Sequence, residues 1–413
     1  MKLSIRIVAL FILLGFVPID AGTLNEEIKY YEEFVKENPK QLEAMNRLAY
    51  LYTQKVRQTA DFSYNLLAEK LVHQILQIQS KNNDALLSLS IIYMAQHNFI
   101  AARDSALKAI SANANNPGAL GILGDAYFEL GDYHQCAKAY QKMGSLWPSA
   151  PYYARVAALR VVEGDREKGL ELMKEALQST NPRNIEDRSW YSMQLGNFYF
   201  DSGKTLEAEK YFKTAVHLNP ISYNAWAGLA KVSVAQNKPA DAIKFYEKAI
   251  AIVPMPDFAA SLGDLYGSLG RKAEAEKQYS LVAVIGLLSK VNQEAYNRQL
   301  ALFYADHDRN LDEALKLVQS EIAVRKDIYG YDALAWCLYK KGKIPESVKA
   351  MQQALRMGTK DVKLFYHAGI IYSAAGRIAE GNEFLRKALK IQPNFPPLYA
   401  TVAHRIANSR NSK

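Results

Sequence analysis

Apolar residues recur along this chain at i, i+3, i+4 and i+7, in paired stretches separated by a short break that carries glycine. That spacing draws one stripe along a 3.6-residue helix, so the pattern predicts amphipathic helices in pairs and no strand. One such pair reads LGDAYFELGDYHQCAKAYQKM from Leu123. Nearly the same line returns as LGNFYFDSGKTLEAEKYFKTA from Leu195, LGDLYGSLGRKAEAEKQYSLV from Leu262 and AGIIYSAAGRIAEGNEFLRKA from Ala368.

Aligned, the four copies share few columns. A glycine opens each (Gly124, Gly196, Gly263, Gly369), a tyrosine follows three residues later (Tyr127, Tyr199, Tyr266, Tyr372), and a second glycine four after that (Gly131, Gly203, Gly270, Gly376). The second block carries a small residue (Cys136, Ala208, Ala275, Gly381) and then a bulky one (Tyr140, Phe212, Tyr279, Leu385). The second glycine falls where a tight turn needs positive φ, which predicts a helical hairpin. The first glycine and the small column permit close backbone approach, and the bulky column is expected to fill the space between neighbouring hairpins.

The opening glycines are 72, 67 and 106 residues apart, near two, two and three periods of about 34 residues. The intervening copies are degenerate but present: Trp226, Leu229, Ala230, Ala242 and Tyr246 mark one, and Leu334, Ala335, Gly342, Met351 and Ala354 another. About ten hairpins are expected in all.

On these columns, on Trp226 and on the closing prolines Pro148, Pro220, Pro254 and Pro393, the chain resembles the tetratricopeptide repeat (TPR) family over roughly residues 40 to 396. The resemblance implies an all-α, right-handed superhelical solenoid with an N-terminal helix at 22–39 and repeats over 40–396. The repeat units are drawn at 42–82, 83–116, 117–149, 150–188, 189–222, 223–255, 256–290, 294–327, 328–361 and 362–395, with a capping helix and basic tail at 397–413. Departures are local: Arg160 stands in a tyrosine column, and QSTNPRNIEDR lengthens the link before Trp190.

The resemblance also implies a groove lined by the first helix of each hairpin, taking a protein or peptide ligand. It assigns that face to Asp125, Trp190, Met193, Asn197, Phe200, Asp201, Lys231, Asp264, Arg298, Trp336 and Tyr339. Met193, Asn197 and Phe200 share one helical face, where an amide between two apolar groups can both donate to and accept from a partner's backbone. The Lys, Asn and Arg set with which some TPR domains hold a C-terminal carboxylate is missing: Asn46 is followed by Ser88 and Gly118, and Met193 stands where a lysine would precede Asn197.

Other chemistry finds little purchase. The seven histidines include no pair four residues apart, no glycine-rich phosphate loop follows a strand, and paired carboxylates such as Glu207 with Glu209 point to different sides of a helix. No catalytic residue, metal or cofactor is assigned, and the chain is not expected to be an enzyme. Cys136 and Cys337 lie six hairpins apart, too far for a disulfide, and read as small buried residues.

The start changes the expected location. Lys2 and Arg6 precede an apolar run from Ile7 to Val17, then Pro18 and Ala21, which reads as a signal peptide over 1–21. The run is short for a membrane span, so no transmembrane segment is expected after its removal. With no N-glycosylation sequon in the chain, an exported bacterial protein is expected: periplasmic, cell-envelope associated or secreted.

Charge adds one feature. The chain is formally +9, yet from Lys340 onward fourteen Lys and Arg face four Asp and Glu, so the basicity belongs to the C-terminal end. Lys340, Lys341, Lys343, Lys349, Lys363, Arg377, Arg386, Lys387 and Lys390 form this candidate basic end. It would suit an anionic surface or an acidic partner; outside the cytoplasm nucleic acid is not expected. The sequence thus reads as an exported scaffold that binds proteins through its groove, with a structural or assembly subunit of an envelope complex as the alternative.

Overall fold

The computed structural model describes residues 21–59, 61, 63–291, 297–393 and 397–408. The expected signal peptide lies outside these residues except for Ala21, as do the last five residues of the tail. Every regular element among the described residues is a helix. After α1 (Ala21–Glu37) the helices come in pairs: α2 (Leu42–Thr59) with α3 (Ser63–Ile78), α4 (Asn83–Ala95) with α5 (Phe99–Ala112), and α6 (Pro117–Leu130) with α7 (Tyr133–Leu146). There follow α8 (Ala150–Val162) with α9 (Arg166–Ser179), α10 (Ile185–Asp201) with α11 (Thr205–Leu218), and α12 (Tyr223–Ala235) with α13 (Pro239–Ile252). The last pairs are α14 (Pro256–Ser268) with α15 (Lys272–Val291), α16 (Asn297–Asp306) with α17 (Leu311–Ile322), α18 (Ile328–Lys340) with α19 (Ile344–Leu355), and α20 (Val362–Ala374) with α21 (Ile378–Ile391); α22 (Pro397–Asn408) closes the series.

The turn inside each hairpin follows from its residues. Gly131, Gly203, Gly270 and Gly376 have φ of 80°, 79°, 76° and 81°, the left-handed region that the repeated second glycine predicts. His97, Asn237 and Asp308 take the same conformation in degenerate copies without glycine, at some strain. After Gly131, Asp132 caps the next helix by accepting from the Gln135 backbone N–H at 3.1 Å; Asp165 does the same after Gly164, accepting from Lys168 at 3.1 Å.

The opening glycines explain the packing. A Cβ on Gly196 would lie 2.6 Å from the Phe212 ring, and one on Gly228, in the next hairpin, would also overlap that ring. Phe212 is therefore wedged between a glycine of its own hairpin and one of the next, so the bulky column works within a hairpin as well as between hairpins. Tyr140 against Gly124 and Tyr279 against Gly263 repeat the own-hairpin contact.

Two compact bodies divide the chain inside α8, between Arg155 and Val156. In the N-terminal body, Leu24 and Ile28 of α1 join Met45, Leu48, Leu51, Val72 and Ile75 in one apolar cluster, each such side chain contributing about 1.5–3 kcal/mol on burial. Glu27 and Glu32 of α1 also receive Arg47 at 2.6 Å and the Tyr52 hydroxyl at 2.8 Å, so α1 is fixed by polar as well as apolar contacts.

In the C-terminal body, the chain returns on itself. The Thr359 hydroxyl donates to the carbonyl of Val162, and Gln392 Nε2 donates to the carbonyl of Phe200 at 2.5 Å. Gly164 meets the Gly358 carbonyl and Gly203 the Ile391 carbonyl, with no room for a Cβ at either glycine. The α8–α9 and α10–α11 turns thus touch segments some 190 residues further along the chain. Within this body, first helices of successive hairpins touch one another, and α22 lies against both α21 and the distant α14.

Candidate functional site

The wall of first helices in the C-terminal body carries polar residues at helical spacing. Asp257 and Asp264 are seven apart on α14, Phe303 and Asp306 are three apart on α16, Asp332 and Trp336 are four apart on α18, and Lys363 and His367 are four apart on α20. Such spacings put each pair on one face, so the helix period itself gathers these groups. Asp257, Asp264, Asp306, His307 and Lys363 line a small cavity whose remaining wall includes Pro256, Ala260, Leu302 and Phe303.

Most of these groups hold one another. His307 Nε2 meets Asp264 at 2.8 Å while its Nδ1 lies 2.7 Å from the Phe303 carbonyl, and Tyr279 donates to the same Asp264 oxygen at 3.0 Å. Trp336 Nε1 donates to Asp306 at 2.7 Å, and the Trp336 ring stacks on His367 with centroids 4.2 Å apart. His367 Nδ1 is 2.8 Å from Asp332, both side chains being essentially buried. Lys363 is 2 % exposed, and its Nζ stands 3.6 Å from Asp306, beyond hydrogen-bonding distance. Tyr399 of α22 reaches the same place, buried, with its ring 4.4 Å from Tyr366.

Burial opposes a charge on His307, but its hydrogen bond to Asp264, that carboxylate's charge and the Phe303 carbonyl together lift the imidazole above its ordinary range. Burial also pushes the Cys337 thiol up to about 12, which keeps it an unreactive thiol. Among the described residues no group of three or more His, Cys, Asp or Glu is placed to hold a metal ion.

The residues assigned to the groove have varied surroundings. Asp125 is buried, accepting from Arg155 and from Tyr140, and burial pushes its carboxyl up to about 6 against the pull of Arg155. Met193 and Phe200 are buried, and Asn197 turns its amide onto the Met193 sulfur at 3.2 Å. Trp190 is half-buried against Tyr191, and the Asp201 carbonyl accepts from Arg166. Lys231 is buried within electrostatic reach of Asp257. Arg298 is buried in ion pairs with Asp327 and Glu321, and Tyr339 stacks on Trp336 at 5.1 Å. The structure brings together Asp264 and Trp336 in the polar cluster and does not bring Asp125 or Asn197 to it.

The basic end divides in a similar way. Lys340 and Lys341 pair with Asp308 and Asp312, and Arg377 and Lys387 with Glu380 and Glu383. Lys343, Lys349, Arg386 and Lys390 are exposed. Lys363 is a correction to the expected set, because it occupies the face of α20 that carries His367 and is directed inward. Sequence reasoning also passed over Asp257, Asp306, His307, His367 and Tyr399. The available signal was the recurrence of acidic residues at helical spacing on otherwise apolar first helices.

The fold and its packing columns define a class, the all-helical hairpin-repeat proteins. Comparison with known proteins narrows it: residues 87–151, 199–265 and 362–395 each match a family model described as tetratricopeptide repeat, which supports membership of the TPR family. The chain is 20% identical over 387 residues to the TPR repeat-containing protein MJ1428 of Methanocaldococcus jannaschii, covering 92% of this chain and 58% of that protein, so it spans little more than half the relative's length. It is 21% identical to the TPR repeat-containing protein YpiA of Bacillus subtilis, covering 65% of this chain and 78% of the relative. Among solved structures, a monomeric mutant of IFIT1 with m7Gppp-AAAA superposes with a TM-score of 0.51 at 16% identity, covering 89% of this chain and 87% of the other. At that identity the likeness concerns the fold alone. TPR repeats generally mediate protein–protein interaction and are generally non-enzymatic. Among the described residues no helix is long and apolar enough to cross a membrane.

Proposed function

We propose that this chain is an exported TPR scaffold that binds a protein or peptide partner along the wall of first helices in its C-terminal body, and acts by that binding with no catalysis of its own. The observation that carries the reading is the polar cavity lined by Asp257, Asp264, Asp306 and Lys363. Hairpins cohere through apolar contacts, and burying charged groups opposes folding, so side chains of this kind suit recognition better than packing. The leader-like start, with Lys2 and Arg6 before the run from Ile7 to Val17, supports work in the periplasm, at the envelope or outside the cell.

Cross-linking in the native host, followed by reciprocal capture of the cross-linked partner, tests the binding; cell fractionation with N-terminal sequencing tests the export. A partner whose cross-links map to α14, α16 or α20, and a chain shortened at its leader outside the cytoplasm, are expected. An unprocessed cytoplasmic chain would remove the export half of the reading, and cross-links confined to other helices would remove the other half. A second reading, docking on an anionic surface, is favoured by the exposed Lys343, Lys349, Arg386 and Lys390.

A further inference from the structure

We propose that the cavity among α14, α16 and α20 recognises the amino end of a polypeptide, with its α-ammonium group on Asp257 and the carbonyl oxygen of the same residue accepting from Lys363. This deepens the scaffold reading and rests on it, since it takes the wall of first helices to receive polypeptide.

Charge and hydrogen bonding point to the same ligand. Of the four carboxylates in the cluster, Asp264 accepts from Tyr279 and meets His307, Asp306 accepts from Trp336, and Asp332 meets His367. Asp257 lines the cavity without a side-chain donor of this kind among the described residues. Against four carboxylates stand Lys363 and two imidazoles, so the cluster stays negative even with both histidines charged. A ligand for it should bring a positive charge. Lys363 adds a second demand: it is 2 % exposed, lines the same cavity, and its Nζ has no hydrogen-bond acceptor among the described residues. An ammonium has three N–H donors and requires acceptors when buried.

A purely cationic ligand would leave Lys363 unsatisfied, and a purely anionic one would add to the excess negative charge. An ammonium with a carbonyl oxygen two bonds away along the chain meets both demands, and Pro256, Ala260, Leu302 and Phe303 supply an apolar wall for a small first side chain. The chemistry is that of a peptide's amino end or of a free amino acid. It is the opposite polarity to a carboxylate clamp, whose residues this sequence lacks.

The test is calorimetric titration of the full chain with tetra-alanine amide, with its N-acetylated form, and with free alanine. The free-amine peptide is expected to bind and its acetylated form to bind at least about tenfold more weakly, as for loss of one partner of a buried charge pair. Asp257→Asn, near-isosteric and checked for unchanged helicity, should weaken the free-amine peptide by a similar factor and remove the effect of acetylation. Free alanine binding as tightly as the peptide would keep the site and name the free amino acid as its source. Equal binding of the acetylated and free peptides, or no binding of tetra-alanine amide or alanine at millimolar concentration, overturns the proposal. Failure here with cross-links to the wall intact would sink the amino-end site alone; loss of those cross-links with peptide binding intact would sink the scaffold reading alone.

Discussion

Arg155 grips Asp125 with two nitrogens, Nε at 2.9 Å and Nη2 at 2.8 Å from separate carboxylate oxygens, and the two residues are each only 2 % exposed. Asp125 belongs to α6 and Arg155 to α8, so the pair ties successive first helices of the N-terminal body. Removing one partner should cost far more than removing both, because a lone buried charge has no compensation. Asp125→Ala is expected to destabilise this body by about 3–5 kcal/mol, while the double replacement Asp125→Leu with Arg155→Met should lie close to the parent. Denaturant unfolding of the two variants checks this; equal losses would show that the pair acts mainly through packing.

Gly196 and Phe212 give a steric counterpart. Because a Cβ at Gly196 would stand 2.6 Å from the ring, Gly196→Ala should lose about 1–3 kcal/mol through overpacking. Phe212→Ala should lose about 3–5 kcal/mol through the cavity it leaves between two hairpins. Combined with Phe212→Leu, Gly196→Ala should cost less than the sum of the separate effects, which melting curves of the three proteins can show.

His307 sets an expected pH dependence. Its pKa is raised in the folded protein, so the stabilisation is fully present below the unfolded value of about 6.5 and is lost as pH rises through the higher folded value. The C-terminal body should therefore melt at lower temperature when pH is taken from 6 towards 9, in roughly that window. His307→Gln should flatten the decline. An unchanged pH profile in that variant would assign the dependence to another group.

At the basic end, the exposed positions are the ones to reverse. Changing Lys343, Lys349, Arg386 and Lys390 to Glu should abolish sedimentation with anionic vesicles, while Lys340→Glu and Lys341→Glu, which act on cations already paired with Asp308 and Asp312, should have smaller effects. Screening beyond ~8 Å at physiological salt means that binding of this kind should fall steeply between roughly 0.05 and 0.5 M salt. Parent protein that ignores anionic vesicles at low salt would reduce these lysines to solubility.

The sequence and the structure agree best where a residue acts on its neighbours along the chain. The second glycine of each copy implied positive φ, and Gly131, Gly203, Gly270 and Gly376 have it, because a two-helix turn is decided within a few residues. Tyr266 and Tyr372, from the tyrosine column, lie under Arg271 and Arg377 at 4.4 and 4.3 Å, again a local outcome. Lys363 was illegible. A lysine on a first helix looks the same in sequence whether its face meets water or the buried groups of other hairpins, and that choice depends on Asp306, some 57 positions away. The contacts of Thr359 with Val162 and of Gln392 with Phe200 were illegible for a stronger reason: no repeat column encodes which hairpin comes round to meet which.

Those return contacts change what kind of object the C-terminal body is. An open stack of hairpins resembles a row of coins, in which one can be added or taken from an end and only the nearest neighbour notices. Once Gly203 abuts the Ile391 carbonyl with no space to spare, the number of hairpins between them becomes a ring size. Inserting or deleting a single hairpin anywhere in that interval would carry Phe200 and Gln392 past each other, so evolution can lengthen this body at its free ends but can only substitute within the closed turn.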